Sequence, residues 1–171
     1  MDEPISNRDI LSKLKGKTRI IYYEDLNRIN DLIPLLNYGS LVILFKSKPN
    51  FGHWTTLLKT PEGIEYFDSY GKQIDGAKEK INKQFLIQTN QYRNRLAELL
   101  YDLSLRGIPI NYNNYPLQKQ SKLIATCGKH VILRILRRDL TIDEYNKWIK
   151  GLARKNKMTI DELVDYIYNM I

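Results

Sequence analysis

Leu41-Val42-Ile43-Leu44-Phe45 is a continuous apolar run, rich in branched side chains. Its length and continuity fit a strand covered on both faces rather than one with a wet side. Two further strand-like segments follow, Gly52–Leu58 and Ile64–Ser69, joined by Lys59-Thr60-Pro61-Glu62-Gly63. A connection this short makes an antiparallel hairpin. With Leu58 opposite Gly63, leaving a four-residue loop, opposed residue numbers sum to 121 and His53 faces Asp68. Directly opposed side chains start from Cβ atoms roughly 4.5–5.5 Å apart, so an imidazole and a carboxylate could hydrogen-bond there. A slip of one residue would send them to opposite faces of the sheet.

The rest of the chain supplies helices. Ser6-Asn7-Arg8-Asp9 caps a first helix that Gly16 ends. Arg19–Tyr23 is a short extended entry, and Leu32–Leu36 is apolar but interrupted by Pro34. Asp75–Phe85 and Gln91–Leu105 carry helical spacing, and Ile108–Tyr112 is an edge strand, because Pro109 forbids a central place. Thr141-Ile142-Asp143-Glu144 and Thr159-Ile160-Asp161-Glu162 are two capping boxes opening the last two helices. The expectation is an α+β fold, a small and mostly antiparallel sheet flanked by helices. It occupies residues 1–171 as one domain.

Ile124-Ala125-Thr126-Cys127-Gly128-Lys129-His130-Val131-Ile132-Leu133-Arg134 holds the chain's single cysteine. Small residues flank it, and an apolar helical run follows. Cys127 therefore falls at the first turn of a buried helix. There, unpaired N–H groups and the positive end of the dipole favour a thiolate. Beside His53, Asp68, Gln118 and Gln120 this makes a set with chemical content. Thiol acyl transfer needs a thiolate, a base that returns the proton to the leaving amine, and a carboxylate fixing that base's tautomer. It also needs an amide N–H for the oxyanion. His130, one turn beyond Cys127, is expected to be a packed or solvent-facing histidine rather than the base. Trp54 should point away from His53 by strand alternation. Tyr112 and Tyr115 are surface tyrosines or the edge of a groove.

Composition removes other classes. A single cysteine leaves no disulfide framework and fits a reducing compartment. The apolar runs are too short for a membrane span, and Met1-Asp2-Glu3-Pro4 has no apolar signal region, so a soluble, unexported protein is expected. No metal-ligand spacing, phosphate-cradling loop or cofactor motif occurs. The net charge of +8 leaves room for DNA as a partner. The basic runs Arg134-Arg137-Arg138 and Lys147, Lys150, Arg154, Lys155, Lys157 form either solvated helix faces or a nucleic-acid patch.

Three blocks together resemble a known family. Gly52-His53-Trp54-Thr55-Thr56-Leu57-Leu58 is similar to the histidine strand of the adenain/SUMO-protease clan of cysteine peptidases. Ile64-Glu65-Tyr66-Phe67-Asp68-Ser69-Tyr70-Gly71 resembles its acidic strand, and Leu117-Gln118 with Thr126-Cys127-Gly128-Lys129-His130 its glutamine and cysteine blocks. The order His, Asp, Gln, Cys is also the clan's. Small size and the cysteine block look most like the maturation proteases of virophages, giant viruses and adenoviruses. The resemblance implies an adenain-like, papain-like cysteine proteinase fold with Cys127 as nucleophile, His53 as base and acid, and Asp68 as orienting carboxylate. It implies a glutamine in the oxyanion hole. The usual spacing favours Gln120 and the apolar residue usual before it favours Gln118, the preferred candidate. It further implies a monomeric viral endopeptidase that needs no cofactor and touches no membrane. Its substrates would be capsid or core precursors, cut after small residues in the virion or the cytoplasmic viral factory. A deubiquitinating or SUMO-removing peptidase and a basic DNA-binding structural protein are the rival readings.

Overall fold

In a computed structural model, which describes residues 3–49, 51–121 and 125–171, Ser6 caps helix α1 (Asn7–Lys13). Its hydroxyl accepts from the Asp9 N–H, and the Asp9 carboxylate accepts from the Ser6 N–H. Strand β1 (Arg19–Tyr22) leads through two 3-10 turns to β2 (Ser40–Lys48), β3 (Phe51–Thr60) and β4 (Gly63–Phe67). The predicted helix at 75–85 divides. Gly76–Lys80 is a 3-10 turn, and α2 (Lys83–Gln88) starts afresh with Asn82 as its cap. Helix α3 (Arg95–Leu105), strand β5 (Ile110–Tyr112) and helices α4 (Cys127–Leu136), α5 (Ile142–Lys155) and α6 (Ile160–Met170) complete the order. Among the described residues no helix is long and apolar enough to cross a membrane.

The sheet runs β1-β2-β3-β4-β5. Its long central ladders, β2 with β3 and β3 with β4, are antiparallel, and each edge strand is parallel to its neighbour. The sheet is thus mixed, as befits an α+β fold. The run at 41–45 sits on the second strand, and its side chains alternate between two cores. Val42 joins Trp54, Leu58 and Phe67 beneath α1, α4, α5 and α6. Leu41, Ile43 and Phe45 join Leu57, Ile64 and Tyr66 beneath α3 and the 3-10 turns.

The hairpin register differs from the expected one. Thr60 pairs with Gly63 and Thr56 with Phe67, so the loop is Pro61-Glu62 and paired numbers sum to 123 rather than 121. A slip of two preserves the face and moves the partner by one pleat. Asp68 therefore lies diagonal to His53 rather than directly opposite, and extending the register puts Tyr70 across from His53.

Helix α4 is buried along nearly its whole length, charged residues included. Arg134 is fully buried and so no part of a surface basic patch. Its Nε and Nη2 donate to both Glu65 oxygens at 2.9 and 2.8 Å, and its remaining N–H groups reach the Arg137 and Leu140 carbonyls.

Candidate active site

Strand β4 ends at Phe67, opposite Thr56, so the first residues of β3 have no neighbour on that side. The start of α4 packs against this end of β3, with Gly128 close to the Trp54 side chain. His53 Nε2 lies 2.8 Å from Asp68 Oδ1, which also accepts the Tyr70 backbone N–H at 2.8 Å. Engaging Nε2 with the carboxylate leaves Nδ1 as the ring nitrogen for the sulfur. The Cys127 thiol lies close enough to that imidazole, and to the backbone N–H groups of Trp54 and Gly128, for their charge and polarity to act on it. Asp68 is fully buried, held from behind by Asn113, whose Nδ2 donates to the Asp68 carbonyl at 2.8 Å.

The electrostatics follow from this contact. Burial works against a charged imidazole at His53. The Asp68 carboxylate, by charge and hydrogen bond, and the Cys127 sulfur overcome it and raise the pKa to about 10. Burial pushes the Cys127 thiol up, but the His53 hydrogen bond and charge, with the Trp54 and Gly128 N–H groups, bring it below the ordinary thiol value. Both shifts favour a thiolate–imidazolium pair.

The two candidate glutamines occupy different environments. Gln118 is 3% exposed, and its Oε1 accepts the Ser69 hydroxyl at 2.6 Å. With the oxygen fixed, the amide NH2 is directed the other way, where it donates to Tyr70 Oη at 3.4 Å. Both Leu117 and Gln118 donate backbone N–H groups to the Ser69 carbonyl. Gln120 is exposed and tied to Lys80 Nζ at 2.6 Å. The structure thus brings Cys127, His53 and Asp68 together, sets Gln118 beside them and leaves Gln120 outside.

Tyr70 is a site residue that sequence reasoning missed. Its ring stacks on the His53 imidazole at 4.8 Å between centroids and 14° between planes. Burial, then the negative charge of Cys127, Asp68 and Asp161, raises its pKa. The correct register would have revealed it, since Tyr70 is the residue that faces His53. His130 is fully buried, its Nε2 2.9 Å from Asp161 Oδ1. Trp54 points into the core beneath α4 and donates its indole N–H to the Ile5 carbonyl. Tyr115 donates its hydroxyl to Asp143 on α5 at 2.5 Å.

A protein of Sputnik virophage, "Uncharacterized protein V9", is 36% identical over 165 residues, which is 95% of this chain and 93% of the virophage protein. The chain belongs to the V9 family. No protein-family model matches it. Among solved structures it is similar to the ASFV pS273R protease, at 14% identity and a TM-score of 0.42. That likeness covers 84% of this chain, which spans 61% of the length of the ASFV protein. It is also similar to the C-terminal protease domain of yeast Ulp1 in complex with Smt3, the yeast ortholog of SUMO. Here the identity is 13% and the TM-score 0.39, over 95% of this chain and 77% of the other. Both likenesses are loose, and the chemistry of the V9-family site rests on its own geometry.

Proposed function

We propose that this V9-family protein is a cysteine endopeptidase acting through an acyl thioester, with residues 1–171 working as one peptidase domain. The observation that carries the reading is the imidazole of His53, bonded to the buried Asp68 carboxylate through Nε2 and engaged with the Cys127 thiol at the start of α4. In the reaction, Cys127 Sγ attacks the scissile carbonyl carbon and the C=O electron pair moves onto oxygen. The Gln118 amide and a backbone N–H at the start of α4 bind that oxyanion. Its collapse breaks the C–N bond, and the leaving amine takes the proton from the His53 imidazolium. Water then attacks the thioester, giving up its proton to the neutral imidazole, and the thiolate leaves. Asp68 holds the ring in one orientation and stabilises its charged form throughout.

The virophage origin of the relative supports a viral substrate. The proposed targets are capsid or core precursors of the protein's own virus, cut after small residues such as glycine during virion assembly. The test is to incubate each recombinant virion precursor with the protein or with Cys127→Ala, and to measure the product masses. Discrete cuts made only by the protein with its thiol, at the termini of mature virion proteins, support the reading. Intact precursors overturn the substrate assignment. Labelling by ubiquitin- or SUMO-derived electrophiles would move the substrate class to the rival peptidases.

A further inference from the structure

Asp161 is remote in sequence from the site, in the first turn of α6, and is 4% exposed. Its Oδ2 accepts the Lys119 backbone N–H at 2.9 Å. Its Oδ1 accepts the Thr126 hydroxyl at 2.7 Å and meets His130 Nε2 at 2.9 Å. Lys119 is the residue after Gln118, and Thr126 the residue before Cys127. One carboxylate therefore grips both ends of the segment between the two side chains that the chemistry brings together. Burial lifts the Asp161 carboxyl, while His130, the Lys119 N–H and the Thr126 hydroxyl lower it further than that, keeping it ionised.

The grip also changes the helix end. Thr126 is the N-cap of α4, a position where a threonine hydroxyl ordinarily accepts a first-turn N–H. Here it makes no cap bond and donates to Asp161 instead. The first-turn N–H groups thus stay available to the sulfur and to an anion formed on it. Apolar contacts already join α6 to α4 through Leu163 and Val164. A buried carboxylate, with its desolvation cost, is not needed merely to hold the two helices together.

We propose that Asp161 is a positioning residue, which sets the Gln118 amide against the Cys127 sulfur by holding the Lys119 backbone and the Thr126 hydroxyl on one carboxylate. His130 Nε2 meets the same oxygen from within α4 and fixes the carboxylate's orientation. The inference rests on the peptidase reading and deepens it.

A peptide aldehyde separates the two. Attack of the thiolate on its carbonyl carbon forms a C–S bond and moves the π pair onto oxygen, which takes the imidazolium proton on release from the hole. Alkylation by iodoacetamide displaces iodide and needs only the thiolate. Because Cys127 is the only cysteine, acetyl-Gly-Gly-aldehyde can be measured by its protection of that residue from iodoacetamide. Gln118→Ala should weaken protection about a hundredfold. Asp161→Ala and Thr126→Val should each weaken it at least about tenfold, and Thr126→Ser should restore it. The double variant Asp161→Ala with Gln118→Ala should bind no worse than Gln118→Ala alone. Iodoacetamide rates should stay within about threefold of the parent in Gln118→Ala and in Thr126→Val, whose valine cannot take up the first-turn N–H groups. Thr126→Val carries the test should Asp161→Ala fail to fold. Parent-like aldehyde protection in these variants, with only a lower melting temperature, overturns the proposal. So does multiplication of the two losses in the double variant. A parent protein that is neither alkylated at neutral pH nor protected by the aldehyde overturns the peptidase reading itself, and the proposal with it.

Discussion

His53 takes its character from two neighbours, and each leaves a mark on the pH profile. The thiol ionises below its ordinary range, and the imidazole keeps its proton to about 10. In the proposed reaction, turnover needs the thiolate and, for the leaving amine, the imidazolium. Activity should therefore rise with pH through the lowered thiol pKa and fall again only as His53 deprotonates near 10. Asp68→Asn keeps the shape and removes the charge. The alkaline limb should then move down, toward the usual imidazole value of about 6.5, and turnover should fall about a hundredfold or more. A kcat/KM profile of both proteins against pH checks both statements; an unmoved alkaline limb in Asp68→Asn would contradict them. At this scale the sequence was informative, because the histidine, aspartate and cysteine each sat in a local pattern that fixed a face or a helix end. Tyr70 and Asp161 were illegible for a physical reason. Nothing local marks a tyrosine that becomes a ring's stacking partner, or a capping-box aspartate that turns inward across the molecule.

Among the elements, the hairpin shows how a wrong register can still give a right pair. Alternation fixed the face of His53 and Asp68, and a slip of two residues cannot disturb a period of two. Loop length was the weaker signal: Pro61-Glu62 makes a tighter turn than the four-residue loop expected, and Gly63 carries φ of +118°. The cysteine helix was legible because its apolar run starts directly after small residues. The 75–85 segment was not, because its helical spacing spans a 3-10 turn and a separate short helix. The loop that carries Gln118 depends on a close approach at Gly71. There φ is +75°, and an added Cβ would lie 2.8 Å from the Tyr115 carbonyl carbon. Gly107 also has a positive φ, +85°, but open space around it. Gly71→Ala and Gly107→Ala should both lose about 1–2 kcal/mol to backbone strain. Only Gly71→Ala should also lose turnover, because it displaces the loop holding Gln118. Thermal melts and kcat for the two variants test this, and equal turnover in both would contradict it.

For the whole molecule, the decisive feature is a helix submerged between a sheet and three other helices, with a charge pair inside. Arg134 and Glu65 link the far end of α4 to β4, both fully buried. Removing one partner strands a buried charge, so Glu65→Ala should cost about 3–5 kcal/mol. Adding Arg134→Met should recover only part of this, because the guanidinium also satisfies the Arg137 and Leu140 carbonyls. Denaturant unfolding of the single and double variants measures both. Full recovery in the double would mean those carbonyls find other partners. The layered α+β plan was legible from one apolar run and two capping boxes. The burial of Arg134 was not, since an arginine beside two others reads as solvated until the carboxylate on a distant strand is known.

Whether Cys127 and His53 rest as a thiolate–imidazolium pair is read from the alkylation rate of Cys127 against pH. For the parent protein, the midpoint should fall below the free-thiol value of about 8.5, and His53→Ala should move it upward, because burial then acts unopposed. Coincident curves for the two proteins, centred at or above the free-thiol value, would contradict the pair.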